Sequence, residues 1–392
     1  MEKPAKQSNI SPLNNEQSEC TFSIVWQGAY CGFANEQGKM ITPYKYEEAY
    51  KFSEERALVK VNKKYGFINK QGKQVIPIQY NHALSFIEGK TRVKLNGKYG
   101  LIDKEGKEIT PLQYENAFCF SEGLASVKLH GKLGFIDMHG KIVIPIQYDD
   151  AYIFSEGLAK VKQNGKWGFI NKIGIVVIPF QYDQADDFSE GLAGINKNGK
   201  CGFIDKQGKE KIPLIYDDAG NFKEGLANIK QKDKWGFIDK NGKVVIPLKY
   251  DYAISFRDEL ALITLKGKYG FIDKQGIEKI PLLYDDAWSF RHGLARVKLN
   301  KRWGFIDKQG KIVIPLIYDS ALFFIEGLTR VELNGKYGFI DNRGKEIIPL
   351  VYDDAKYFNN GIASVKLYGK WLRINKQGEH IIKTINIHKQ KE

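Results

Sequence analysis

Apolar and polar positions along this chain follow a pattern that restarts every 34 residues. Within one cycle, Leu124-Ala125-Ser126-Val127-Lys128-Leu129 alternates and sets Ala125, Val127 and Leu129 on one face, as a half-buried strand does. His130-Gly131 follows, and other cycles read Asn96-Gly97, Asn164-Gly165, Asn198-Gly199 and Asn334-Gly335 here. Asn-Gly between two apolar runs predicts a tight hairpin, because both central residues take positive φ. The second strand, Leu133 to Asp137, carries Leu133 and Phe135 on one side and Ile136 on the other. Such a strand has neighbours on both faces, and Gly134 marks a close approach to its backbone. A turn with Gly140 comes next, with counterparts from Gly38 to Gly378. The third strand, Ile142 to Tyr148, contains Pro145, which lacks a ladder donor and predicts an edge. The spacing then becomes three, at Tyr148, Ala151 and Phe154, with Asp149-Asp150 suited to cap a single helical turn. The cycle therefore predicts three strands and one short turn of helix.

The phase holds without insertion or deletion. Its central glycine falls at 32, 66, 100, 134, 168, 202, 236, 270, 304 and 338, and Leu372 takes the next place. Units of this size cannot bury a core alone, so the chain reads as an all-β array of about eleven 34-residue, three-stranded units. Propeller blades usually have four strands in about 40 residues and close as rings of four to eight. Three strands and eleven units predict instead an open solenoid or superhelix, with one or two β-propeller-like rings as the alternative. The array should span 21–387, with degenerate capping units at both ends, where Leu372, Arg373 and Lys383 replace the usual Gly, Phe and Pro. Residues 1–20 are polar and aperiodic, which predicts disorder, and 388–392 form a short basic tail. There is no apolar leader and no membrane-length apolar run, so a cytoplasmic location is expected.

Charge narrows the picture only slightly. The chain has 60 Lys and Arg against 46 Asp and Glu, net +14. The excess is spread thinly, since Gly202 to Trp235 holds seven Lys against six acidic residues. The four cysteines form no disulfide framework, consistent with a reducing compartment. None of the six histidines has metal-ligand spacing, so no metal is predicted. Gly97-Lys98-Tyr99-Gly100 and its counterparts lie across hairpins, not between strand and helix, which argues against phosphate or cofactor binding. Asp103, Asp137, Asp205, Asp239, Asp273, Asp307 and Asp341 end the second strands as a regular ladder. A catalytic carboxylate pair needs one exceptional site, so these read as acceptors for turn amides or partners of lysine, and no catalytic residue emerges.

Two surfaces remain as candidates. From the second unit on, a basic residue stands two positions before the central place, at Lys64, Lys98, Lys132, Lys166, Lys200, Lys234, Lys268, Arg302, Lys336 and Lys370. Lys166, Lys200 and Lys234 could follow a nucleic-acid or polyanion backbone. The second surface is a variable column, reading Tyr50, Leu84, Phe118, Tyr152, Asp186, Gly220, Ile254, Trp288, Leu322 and Lys356. A column that also tolerates Asp, Gly and Lys is partly exposed, and Phe118, Tyr152 and Trp288 are then candidate anchors for a protein partner.

The phrases Gly165-Lys166-Trp167-Gly168-Phe169-Ile170, Asp233-Lys234-Trp235-Gly236-Phe237-Ile238 and Lys301-Arg302-Trp303-Gly304-Phe305-Ile306 are each followed by Ile-Pro and Tyr-Asp-x-Ala, the last two after a Gly-Lys turn. These resemble the WG (KWG) repeats of bacterial proteins over about residues 21–387. Tyr65, Tyr99, Leu133, Cys201, Tyr269 and Tyr337 replace the tryptophan, so that ring is not an essential chemical group. The resemblance implies a β-rich bacterial interaction module with no catalytic residues to transfer. Residues and resemblance together predict a non-enzymatic scaffold binding a protein partner along an extended face. The alternatives are polyanion binding through the lysine ladder, or an immunity- or effector-associated protein that occupies a toxin.

Overall fold

The computed structural model describes residues 22–27, 30–118, 120–359 and 361–381. The expectations for 1–20, for the end of the last third strand beyond 381 and for 388–392 lie outside these. Ser23–Gln27 pairs with Tyr30–Ala34 as a two-stranded sheet. Ten larger sheets follow, eight of four strands and two of three, each a simple meander. They are numbered here as blades 1 to 10, starting at Glu48, His82, Asn116, Asp150, Gln184, Asp218, Tyr252, Asp286, Ser320 and Asp354.

Blade 3 shows how the sequence makes a sheet. Its strands are Asn116–Ala117, Leu124–Leu129, Lys132–Asp137 and Ile142–Tyr148. His130 and Gly131 take φ of 49° and 77°, as the hairpin turn requires. Phe135 and Ile136 are both buried. The proline strand lies at the sheet edge. At Gly134 the register shifts in a bulge, and an added Cβ would meet the Ile144 and Pro145 carbonyl oxygens at 2.6 and 2.7 Å. Only a hydrogen fits there.

Two expectations are corrected. Among the described residues there is no helix. The Tyr-Asp-x-Ala segment forms a fourth, two-residue strand instead. In blade 4 the amides of Asp149 and Tyr152 donate to the Lys162 and Lys160 carbonyls at 2.8 and 3.1 Å, so they join a ladder. The spacing of three marks a corner. Tyr148 closes one blade, Ala151 and Phe154 open the next, and all three fill the same core between blades.

The second correction is to the open superhelix. The chain closes as a β-propeller-like ring, the alternative architecture. Near Gly361 of blade 10, an added Cβ would come 3.8 Å from Trp26 Nε1 of the first hairpin. A cavity of about 1050 Å³ is lined by Phe22, Ile24 and Trp26 from one end and Gly361, Asn375 and Lys376 from the other. A second, of about 260 Å³, joins Trp26, Glu47 and Glu48 to Tyr357 and Arg373. Eleven layers in an open stack would hold these residues about 100 Å apart. The physical cause is rotation between neighbours. Sheets twist, bulges add to the twist, and the eight four-stranded blades repeat the same bulge, so similar rotations accumulate into a circle.

Candidate interaction surface

The recurrent polar columns are consumed by the scaffold. Each aspartate that ends a second strand folds the turn after it. Asp137 Oδ1 accepts from His139 and Lys141 amides at 2.8 and 2.9 Å, and Asp239 does the same with Asn241 and Lys243 at 2.9 and 2.9 Å. These carboxylates are therefore turn acceptors. The glutamate column instead joins blades. Glu156 accepts from the Gly191 amide of the next blade at 3.0 Å and pairs with Lys206 at 3.1 Å. Glu54, Glu122, Glu190, Glu224 and Glu326 pair likewise with Lys104, Lys172, Lys240, Lys274 and Lys376. For Glu54 and Glu122, burial pushes the pKa up, but amide and lysine contacts outweigh it and hold the net value below the usual range.

At seven of its ten positions the basic ladder is paired with a second acidic column. Lys166 pairs with Asp183, Lys200 with Asp217 at 2.6 Å and Lys234 with Asp251 at 2.6 Å. Lys132, Lys268, Arg302 and Lys336 make the same bond to Asp149, Asp285, Asp319 and Asp353. The lysine hydrogen bond holds the Asp183, Asp217 and Asp251 carboxyls below the usual range. Lys166, Lys200 and Lys234 thus occupy consecutive blades as a row of ion pairs, not as a row of free cations.

The aromatic candidates are half-exposed, at 40% for Phe118, 46% for Tyr152 and 46% for Trp288. They lie on blades 3, 4 and 8 and so do not converge on one point. Each follows a short strand, and Tyr152 and Trp288 are held by neighbouring rings and cations. The Tyr152 ring packs on Trp167 at 5.7 Å, with the Lys160 ammonium 4.3 Å from its centre. Trp288 meets Phe323 edge-on at 5.2 Å.

A further column was hidden in the first-strand alternation, where it reads as a solvent-facing polar position. It holds Arg92, Lys160, Asn228, Arg296 and Arg330. Each reaches into the next blade to donate to the carbonyl of its short-strand alanine, as Lys160 Nζ does to Ala185 at 3.1 Å and Asn228 Nδ2 to Ala253 at 3.1 Å. Arg92, Arg296 and Arg330 do so to Ala117, Ala321 and Ala355. Arg296 is only 8% exposed and lies among Trp303, Phe323 and Trp288 at 4.4, 4.9 and 5.1 Å. Burial pulls its pKa down. The usable signal was the return of long cations at one phase of the period, beside aromatics.

The Cys31 thiol is pushed up to about 12 by burial, so it is no nucleophile at neutral pH. Among the described residues no three His, Cys, Asp or Glu side chains gather as metal ligands. No helix among them is long and apolar enough to cross a membrane.

A closed array of similar β-blades with variable positions after the short strands defines a repeat protein of the propeller-like class. The chain belongs to the family of the WG containing repeat, ten copies of which match 32–65, 65–99, 99–132, 134–167, 167–201, 202–235, 235–269, 269–303, 303–337 and 337–371. No curated protein sequence matches it. Among solved structures it is similar to a eukaryotic initiation factor, at 12% identity and TM-score 0.46, over 75% of this chain and 95% of that one. It is also similar to the extracellular domain of a hybrid two-component system of B. thetaiotaomicron, at 11% identity and TM-score 0.25, over 93% and 70% of the two chains. Hsv2p of Kluyveromyces lactis follows at 10% identity and TM-score 0.31, over 56% and 89%. At such values these similarities assign neither a site nor a partner.

Proposed function

We propose that this protein is a non-enzymatic scaffold that binds a protein partner through the variable positions after its short strands. The observation that carries this reading is the state of Phe118, Tyr152 and Trp288. All three are large and about half-exposed, and Tyr152 and Trp288 are held in place by neighbouring rings and cations. Aromatics that are preorganised and accessible lose little entropy on contact and dominate interface energies. The recurrent columns maintain the ring and leave these positions free to vary.

The test is capture of partners by the wild type and by a variant carrying Phe118→Ser, Tyr152→Ser and Trp288→Ser, with mass spectrometry and a thermal melt. Loss of the captured protein with a melt within a few degrees supports the reading. Unchanged capture removes these residues from the interface. A polyanion reading through Lys166, Lys200 and Lys234 would require displacing Asp183, Asp217 and Asp251. Binding to single- and double-stranded nucleic acid at physiological salt should therefore be weak, and a tight, steeply salt-dependent complex would reverse the order of the two readings.

A further inference from the structure

Apart from the seam where the ring closes, one junction departs from the others, and it lies between blades 2 and 3. Nine interfaces are keyed by a pair of phenylalanines, from Phe33 with Phe52 at 5.1 Å to Phe339 with Phe358 at 4.7 Å. At this one, Leu101 stands in the phenylalanine column, so Phe120 has no ring partner. Blade 2 also lacks a regular third strand. Thr110 replaces the usual isoleucine, and its hydroxyl accepts the Leu101 amide at 2.9 Å in place of a ladder carbonyl. The junction holds a cavity of about 130 Å³ whose walls include Leu84, Ile87, Leu101, Phe118, Phe120 and Met138. Ile87 stands 68% exposed at its mouth. The space is that of one large apolar side chain, near the size of cavities that stay dry and take up hydrocarbon.

The same junction leaves an acidic group unanswered. Glu88 occupies the column of Glu54 and Glu122, but Met138 sits where those glutamates find Lys104 and Lys172. Its carboxylate has no hydrogen-bond or ion-pair partner among the described residues, and it lines the cavity. Arg92 on the same wall is engaged by the Ala117 carbonyl and the Tyr99 ring.

We propose that this junction is a docking site for an extended segment of a protein partner carrying a large apolar side chain next to a lysine or arginine. The apolar group enters the cavity and restores the missing packing. The cation meets Glu88 and takes the place that lysine holds at the other blades. This rests on the scaffold reading above and names the chemistry of one contact within it.

Only three methionines are present, Met1, Met40 and Met138, so methyl-labelled methionine gives a simple spectrum with a reporter in the cavity wall. The probes are the blocked peptides Gly-Leu-Lys-Gly, Gly-Leu-Glu-Gly and Gly-Ser-Lys-Gly at millimolar concentration. The Leu-Lys peptide should shift Met138 saturably and leave Met40 unmoved. The Leu-Glu peptide, which controls for attraction to Lys90 and Arg92, should bind about tenfold more weakly, and the Ser-Lys peptide should not saturate. Glu88→Gln should erase the preference for Lys over Glu. Leu101→Phe, the residue of nearly every other unit, should fold, raise the melting temperature and abolish the shift. No Met138 shift, equal affinity for the Lys and Glu peptides, or persistent binding in Leu101→Phe overturns the proposal. If it falls while the aromatic triple variant still loses its captured partner, the scaffold reading stands. If capture is also indifferent to the aromatics, both fall.

Discussion

Phe169 shows what one side chain contributes to this ring. It is fully buried, packs on Phe188 of the next blade at 4.9 Å and recurs once per period. Phe169→Ala should cost about 3–5 kcal/mol in denaturant melts, by lost transfer energy plus the cavity left behind. Trp167 is only half-buried, and tyrosine fills its column in several blades, so Trp167→Tyr should cost less than about 1.5 kcal/mol. Equal effects would contradict the burial of this strand. Gly134→Ala should be worse than its size suggests, on the order of 1–3 kcal/mol, because the new methyl meets backbone oxygens that cannot rotate away. These roles were legible because repetition separates what the fold needs from what it tolerates. Arg296 was not legible. A polar residue in an alternating strand points to solvent by default, and only the next blade converts that solvent into Phe323 and a carbonyl.

Between neighbouring strands, the Lys–Asp column makes a pH prediction. Asp149, Asp183, Asp217, Asp251, Asp285 and Asp353 are all held below the ordinary aspartate range, first by the lysine hydrogen bond. The folded pKa is thus lower than the unfolded one. The stabilisation is complete above the unfolded value of about 3.9 and is lost as pH falls through the folded value. Thermal melts should be flat from neutrality to about pH 5 and then decline cooperatively. A decline already between pH 7 and 6 would assign the loss to other groups. The strands, hairpin turns and edge proline could be assigned from alternation, Asn-Gly and Pro145. The short strand could not, because Tyr148, Ala151 and Phe154 show a spacing of three whether the backbone winds or turns a corner between sheets. What decided it was the supply of partners at Lys160 and Lys162, 8 to 13 residues further on.

For the whole molecule, closure predicts a compact particle. Small-angle scattering should give a radius of gyration near 21 Å, or a few Å more for a ring, and not the profile of a rod about 100 Å long. Deleting one full period, residues 184–217, gives a second check. An open array loses one unit and little else, whereas a ring must reopen its seam at Trp26 and Gly361. The deletion should therefore lower the melting temperature far more than removal of one interface, and an unchanged melt would speak for independent stacking. The sequence by itself determined the period, the three long strands of each unit, the buried columns and the residues that bend the chain, since all of these depend on contacts within about one cycle. Tertiary structure alone decided the ring, the glutamate–lysine links across blades and the cavity at Leu101. Each depends on the angle at which one blade meets the next, and that angle is set jointly by two packed surfaces, which no single 34-residue unit contains.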